Sequence, residues 1–285
     1  MVASVRWSQD VSDHGLRSVR YKLDSRARGG QMSRRKPTPC RAALYAALLG
    51  VVPAMLHAAH PPPSLALPAG ARVGIVSLLD PEVTHFHTSR QIENSFLKTY
   101  TVTWPVDTML LAAVRDRLGQ LGLTPVPFAA SDALRRARES CFLDASLAKG
   151  LPKECGPLYA QLAASQNVSA IVVLGPGRND SAHAGGGRHK ELPEYLRGWC
   201  FVTGGADPLP VLLDMTELLL VGVSGTQAQL VGRGWGGDGK SWTGYRAPPD
   251  LKAFPQELLD QLQPVYGAML KQQADTALAP LQPAH

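Results

Sequence analysis

The feature that most constrains the fold is a pair of uncharged apolar segments separated by a helical pattern. Residues 168–174 (VSAIVVL) and 73–79 (VGIVSLL) contain no charged side chain, which is typical of strands buried on both faces. Between them, apolar side chains recur at helical spacing over 107–121, and Gly122 follows as a stop. The sequence therefore predicts an α/β fold in which helices flank a mixed sheet.

The remaining patterns extend this prediction over a single domain, residues 71–279. Residues 80–98 are interpreted as a polar loop and 234–244 as a glycine-rich loop. An antiparallel hairpin is predicted around Ser224-Gly225-Thr226, and a C-terminal helix over 256–278 with a kink at Pro264. Further strands are predicted at 99–104, 124–128 and 199–203, and further helices at 132–149 and 158–166.

The net charge is unevenly distributed along the chain. The protein has 29 Lys and Arg against 23 Asp and Glu, a formal charge of +6. Ten of the basic and three of the acidic residues precede residue 60, which leaves 19 basic and 20 acidic residues in the rest. A nearly neutral body has no excess of the basic residues that neutralise nucleic-acid phosphates, so no nucleic-acid partner is expected.

The basic N-terminal region has the layout of an export signal. Arg34, Arg35, Lys36 and Arg41 precede the 15-residue uncharged run 42–56, and small residues and prolines follow. That run is too short for a stable bilayer span, which needs about 20 residues. We predict a signal peptide over 32–59, cleaved after Ala58, Ala59 or Ala66, then a proline-rich linker over 60–70, and a periplasmic or secreted product.

Residues 1–31 precede this signal and show no apolar periodicity. They are interpreted either as an over-extended reading frame, with translation starting at Met32, or as a disordered leader.

Three cysteines follow the predicted signal: Cys141, Cys155 and Cys200. In an oxidising compartment one disulfide and one free thiol are expected, with Cys141–Cys155 as the preferred pair because it closes a short loop. Buried free thiols are the alternative.

The order of segments is similar to that of a known class of envelope domains. The relevant residues are the strand 73–76 (VGIV), the helix end 118–122 (LGQLG), the strand 170–174 (AIVVL) and the hairpin 216–231. This order resembles the α/β domain of the TolB N-terminal and curli-secretion (CsgG-like) lipoprotein class. The resemblance implies a domain that binds protein partners rather than substrates. The chain departs from that class in lacking a lipobox and in carrying the additional segment 80–98.

Several residue patterns are candidates for a functional site. His85 and His87 lie two residues apart on one side of an extended segment, where neutral imidazoles can bind one metal ion. His183 and His189 flank three glycines. Ser224 and Cys200 are candidate nucleophiles for a hydrolase, although neither lies in a recognised motif.

The glycine-rich region holds the other two candidates. Residues 232–237 (GRGWGG) lack the strand-before, helix-after context of a phosphate loop and are interpreted as a flexible exit from the hairpin. Trp235, Trp242 and Tyr245 are interpreted either as core or rim residues or, because they lie in a glycine-rich loop, as an exposed contact surface.

These observations together predict an exported bacterial cell-envelope protein with a non-enzymatic binding or assembly role, an envelope protein partner and no cofactor. A secreted hydrolase with a Ser or Cys nucleophile and a periplasmic metal-binding protein are the alternatives.

Overall fold

The computed structural model describes residues 64–89, 91–177, 196–204, 209–236 and 239–283. The strands in these ranges are β1 (Leu65–Leu67), β2 (Arg72–Ser77), β3 (Glu82–Thr88), β4 (Phe96–Thr101), β5 (Thr124–Pro127), β6 (Ala170–Pro176), β7 (Gly198–Gly204), β8 (Val211–Ser224), β9 (Gln227–Trp235), β10 (Lys240–Ser241) and β11 (Leu281–Pro283). The α-helices are α1 (Val106–Gln120), α2 (Asp132–Arg136), α3 (Arg138–Leu143), α4 (Cys155–Gln166), α5 (Gln256–Asp260) and α6 (Gln263–Ala277).

Nine strands form one mixed sheet, which confirms the predicted fold class. Its order is β4-β3-β7-β8-β6-β2-β5, and β9 and β10 also pair with β8. The strands β5, β2 and β6 are parallel, whereas β8 runs antiparallel to β6, β7 and β9. The apolar segments that opened the sequence analysis are thus central strands of the sheet.

The long strand β8 joins the two halves of this sheet. Its first part, from Val211 to Met215, pairs with β7, and its continuation from Thr216 to Gly222 pairs with β6. On its other side β8 pairs with β10 and then with β9. The histidine-bearing strand β3 therefore belongs to the half that β8 connects to the parallel strands.

Helices cover both faces of the half that contains β2 and β6. On one face α1 and α6 contact each other and β2, β5, β8 and β9, while α3 and α4 contact β6, β8 and β9 on the other. Val73 and Ile75 of β2 belong to the core under α1 and α6, whereas Val76 belongs to the core under α4. Burial on both faces explains why β2 and β6 lack charged residues after Arg72.

Two glycines of β9 let α6 pack directly on the sheet. A Cβ atom at Gly232 would lie 2.0 Å from the carbonyl oxygen of Ala277, and one at Gly234 would lie 2.2 Å from that of Gln273. Residues 232–235 therefore belong to a strand, and the interpretation of 232–237 as a flexible exit is wrong for them. Glycine at these two positions lets the backbone of α6 approach the strand closely.

Other segments also differ from their predictions. The polar segment 80–98 holds β3 and the start of β4, because its β-branched and aromatic residues, among them Val83, Thr84 and Phe86, favour an extended strand. The helix expected over 132–149 is two short helices, α2 and α3. The C-terminal helix is divided into α5 and α6, with Pro264 in the first turn of α6, where its missing N–H costs nothing.

The predicted linker 60–70 contains β1, which pairs in parallel with β11. Both strands of this pair lie outside the predicted domain limits 71–279. The predicted leader and signal peptide, 1–59, lie outside the described residues.

Candidate functional site

The two predicted histidines lie on one face of β3, beside β7. In the sheet register His85 is the partner of Phe201 and His87 is the partner of Thr203. Because side chains alternate along a strand, His85 and His87 share a face with Phe201 and Thr203. The spacing of two residues in the sequence therefore becomes a cluster of polar side chains across two neighbouring strands.

One hydroxyl group lies between the two imidazole rings. Thr203 Oγ1 is 2.6 Å from His85 Nε2 and 2.8 Å from His87 Nδ1. A threonine hydroxyl has one proton, so it donates to one ring and accepts from the other. The protonation states of the two neutral rings are consequently coupled through Thr203.

His85 is buried among aromatic rings. Its ring stacks on Phe201 with centroids 4.4 Å apart, and it meets Phe254 and Phe96 edge-on at 4.9 and 5.1 Å. Burial lowers the pKa of His85 from 6.5 to about 3; charge repulsion from His87 adds to this effect, and the backbone of Leu251 opposes it. His85 is therefore a neutral positioning residue at physiological pH.

His87 is half-buried and forms part of an open cleft. Burial lowers the pKa of its imidazole, so this ring is also mainly neutral near pH 7. The cleft has a volume of about 510 Å³ and is lined by His87, Glu93, Asn94, Ser95, Phe96, Pro249, Asp250, Leu251 and Lys252. We call it the histidine cleft.

The proton arrangement determines what His87 offers to a ligand. His85 Nδ1 is buried without a hydrogen-bond partner, and two arrangements of protons satisfy the Thr203 hydroxyl. In one, His85 Nε2 accepts from Thr203, Thr203 accepts from Nδ1 of His87, and Nε2 of His87 is left as an acceptor; in the other, Nε2 of His87 is left as a donor. Among the described residues nothing forms a hydrogen bond to this atom. The cleft thus offers one free imidazole nitrogen to a ligand, beside the side chains of Glu93 and Asp250.

The geometry does not assemble a complete metal site from the described residues. No group of three or more His, Cys, Asp or Glu side chains among them is placed to hold a metal ion. The point on which the two imidazoles converge is occupied by Thr203 Oγ1. His183 and His189 lie outside the described residues.

The cysteines divide into one bridged pair and one buried thiol. Cys141 in α3 and Cys155 at the start of α4 form a disulfide, with their Cα atoms 5.6 Å apart. Cys200 is free and fully buried, and its Sγ faces the carbonyl oxygens of Arg197 and Gly198. Burial, reinforced by the nearby charge of Asp214, raises the pKa of the Cys200 thiol well above its ordinary value. This thiol is poorly suited to act as a nucleophile.

Ser224, the other candidate nucleophile, ends β8 at the exposed turn of the hairpin. Within the described part of the chain neither Ser224 nor Cys200 forms a hydrogen bond with a histidine. The structure therefore does not bring together the nucleophile and base that a hydrolase of this kind requires.

Trp242 is buried, so it cannot belong to an exposed contact surface with Trp235 and Tyr245. That ring is only 4% exposed and lies 5.7 Å from Phe201 and 5.1 Å from Tyr245, measured between centroids. Tyr245 and Trp235 are half-buried. The glycine-rich segment contributes β10 to the sheet, which draws Trp242 onto the apolar face.

A buried polar network was missed by the sequence analysis. Asp214 Oδ1 accepts from the backbone N–H of Thr216 at 3.1 Å and from its hydroxyl at 2.6 Å, and Asp214 Oδ2 accepts from Gln273 Nε2 at 2.8 Å. Burial raises the pKa of Asp214 from 3.8 to about 7, although hydrogen bonds from Thr216 oppose that rise. The only signal in the sequence was the polar interruption DMTE within the apolar strand 211–224.

This network lies where β8 changes partners. Asp214 belongs to the part of β8 that pairs with β7, and Thr216 to the part that pairs with β6. Gln273 extends from α6 to both residues. Three side chains thus tie the junction of the two half-sheets to the covering helix.

Comparison with known proteins assigns the chain to no family. No family model matches the chain, and no curated protein matches it. A similar solved structure is the hypothetical protein CT253 from Chlamydia trachomatis, with 11% sequence identity and a TM-score of 0.34, covering 74% of this chain and 95% of that one. None of the helices in the described ranges is long and apolar enough to cross a membrane.

Proposed function

We propose that this chain is an exported bacterial cell-envelope protein whose α/β domain has a non-enzymatic binding or assembly role. The observation that carries the proposal is the Cys141–Cys155 disulfide. Structural disulfides persist in oxidising compartments such as the periplasm and are rare in the cytosol. The disulfide and the signal-like segment 32–59 therefore support the same location.

The chemistry of the described side chains favours binding over catalysis. The Cys200 thiol is buried with a raised pKa, and Ser224, at the hairpin turn, forms no hydrogen bond with a described histidine that could activate it. The histidine cleft instead offers a neutral imidazole at His87 beside two carboxylates. Such a set of groups binds hydrogen-bond donors without needing a reacting nucleophile. The resemblance to the TolB N-terminal and CsgG-like class supports a protein partner.

The location is tested by expressing the full chain with a C-terminal tag in a bacterial host and fractionating the cells. Each fraction is treated with a thiol-reactive polyethylene glycol under denaturing conditions, before and after reduction. The proposal predicts that the tagged protein is periplasmic or secreted and gains two further labelled thiols on reduction. A cytoplasmic protein with Cys141 and Cys155 already reduced would contradict it.

The binding role is tested with a photo-crosslinking amino acid at two exposed positions. Asn94 lies in the histidine cleft, whereas Asp116 lies on α1 outside it. A discrete adduct with an envelope component from position 94, absent from position 116, is expected. Equal adducts from both positions, or none from either, would count against a binding role for the cleft.

The metal-binding alternative has one specific observation in its favour, the convergence of two imidazole nitrogens on Thr203 Oγ1. For both nitrogens to bind one ion, the Thr203 side chain would have to leave that position. Elemental analysis of the purified domain, with and without His85→Ala, separates this alternative from the proposed function.

A further inference from the structure

The strand β9 has an unpaired outer edge. β9 pairs with β8 alone, and no backbone hydrogen bond joins residues 227–230 to any other described segment. Strand residues direct alternate N–H and C=O groups to opposite edges. Part of the hydrogen-bonding capacity of this segment is therefore available to an added strand.

The sequence of this edge lacks the residues that often protect an edge strand against strand addition. Such strands frequently carry lysine, proline or a bulge that interrupts pairing. The sequence of 227–230 is Gln-Ala-Gln-Leu, without charge or proline. The register irregularity of β9, opposite Leu220 and Val221, begins only after Leu230.

A groove runs along this edge. It has a volume of about 430 Å³ and is lined by Leu147, Lys149, Gly150, Leu151, Pro152, Lys153, Gly156, Ala228, Gln229 and Leu230. Its outer wall is the segment between the two bridged cysteines, and a bridge between Ser146 and Gly150 further fixes that segment. The groove is thus preformed, which lowers the entropic cost of binding.

The wall of the groove combines apolar and positive groups. Leu147 is 49% exposed, the highest value among the large hydrophobic side chains of the described ranges. Lys149 and Lys153 line the groove, and no carboxylate does. Because the chain after residue 60 is close to neutral overall, a groove with two lysines and no acidic residue selects for negative charge.

We propose that this groove binds an extended acidic segment of a partner protein, which adds to the sheet as a strand beside β9. The backbone of the segment pairs with 227–230, its apolar side chains contact Leu147 and Leu151, and its carboxylates meet Lys149 and Lys153. The identity of the partner as an envelope protein rests on the proposed function, whereas binding to the groove is a property of the isolated domain.

The proposal is tested by fluorescence anisotropy with the purified, oxidised protein and three labelled eight-residue probes. The first probe alternates Glu and Val, the second alternates Lys and Val, and the third repeats the first with N-methyl groups at alternate backbone positions. The first is expected to bind. The second probe is expected to bind at least tenfold more weakly than the first because of its positive charge. The third probe is expected to be weakened to the same extent because its N-methyl groups prevent a complete strand ladder.

Two variants place the binding in the groove. Lys149→Glu with Lys153→Glu is expected to reverse the preference between the Glu and Lys probes, while Lys271→Glu on the exposed surface of α6 leaves it unchanged. Gly156→Gln is expected to fill the groove and weaken binding at least tenfold. A Cβ at Gly156 has only an ordinary 3.8 Å contact with the oxygen of Ala228, so this variant does not strain the fold.

Three results would overturn the proposal. They are a reversal of probe preference in Lys271→Glu like that in the double lysine variant, retained binding of the N-methylated probe, and no binding of any probe. Thermal melting of each variant identifies any that has failed to fold. If no probe binds but position 94 gives a cleft-specific adduct, the groove is rejected as a binding site and the proposed binding role of the domain stands. If the probes bind as expected but position 94 gives no specific adduct, the groove stands as a binding site and the cleft is rejected.

Discussion

Replacing Asp214 with Asn should make the domain much more sensitive to acid, because two buried groups have opposite pH dependence. The folded-state pKa of Asp214, about 7, lies above its ordinary 3.8. Between these values the folded state binds the additional proton, so Asp214 stabilises the fold as pH falls. The folded-state pKa of His85, about 3, lies below 6.5. In that window the unfolded state binds the additional proton, so His85 destabilises the fold as pH falls.

In the native protein, the pH-dependent contributions of Asp214 and His85 to the free energy of unfolding nearly cancel. Each group contributes at most about 1.4 kcal/mol per pH unit. Between pH 6.5 and 4.5 the linkage relation gives a gain of about 2 kcal/mol from Asp214 and a loss of about 2 kcal/mol from His85. The lowered pKa of half-buried His87 adds a smaller loss. Asp214→Asn removes only the gain and leaves the losses.

The assay is urea unfolding followed by tryptophan fluorescence at pH 4.5, 5.5 and 6.5. From pH 6.5 to 4.5 the free energy of unfolding of Asp214→Asn should fall by about 2 kcal/mol more than that of the native protein. His85→Phe should show the opposite change. Asp116→Asn, which removes an exposed carboxylate from α1, is the control and should follow the native profile. Parallel profiles for the native protein and Asp214→Asn would refute the reasoning.

Four further predictions address the disulfide, Thr203, the leader and metal binding. Cys141→Ser with Cys155→Ser opens a loop with a sequence separation of 14 and should lower the free energy of unfolding by about 3 kcal/mol, measured by urea denaturation with Cys200→Ser as the control. Thr203→Val should cost about 1–3 kcal/mol, because it leaves the buried Nε2 of His85 without a partner, whereas Thr203→Ser should restore most of that stability in the same assay. Mass spectrometry of the exported protein should find an N-terminus after Ala58 or Ala59, since cleavage after Ala66 would divide β1; a start at Leu67 would contradict this. Zinc should bind no more tightly to the native domain than to His87→Ala in a competition titration, because Thr203 Oγ1 occupies the point of convergence; a tenfold preference for the native domain would contradict it.

The sequence was informative where one physical effect dominates. The apolar runs of β2 and β6 and the helical spacing of α1 each reflect burial, and their positions were predicted to within a few residues. The predicted bond between Cys141 and Cys155 is present in the structure because the turn between α3 and α4 brings the two residues together. Local patterns of this kind can be detected without knowledge of distant contacts.

The rest of the candidate site depends on contacts between distant segments. His85 was recognised as a chemical group, but its burial comes from Phe201 and Phe254, which follow more than one hundred residues later. The same holds for Asp214, whose partner Gln273 lies on α6. The interpretation of Trp242 as exposed arose because glycines surround it, and the pairing of β10 with β8 could not be inferred from that composition.

The pairing of β1 with β11 has a consequence for how the domain completes its fold. Residues 65–67 have their strand partner at 281–283, more than two hundred residues later along the chain. For a chain exported N-terminus first, the earliest strand to emerge stays unpaired until the final one has crossed the membrane. Under the proposed export, the small parallel ladder between them would close only after translocation of the whole domain, and protection of its amides against hydrogen exchange would mark the end of that passage.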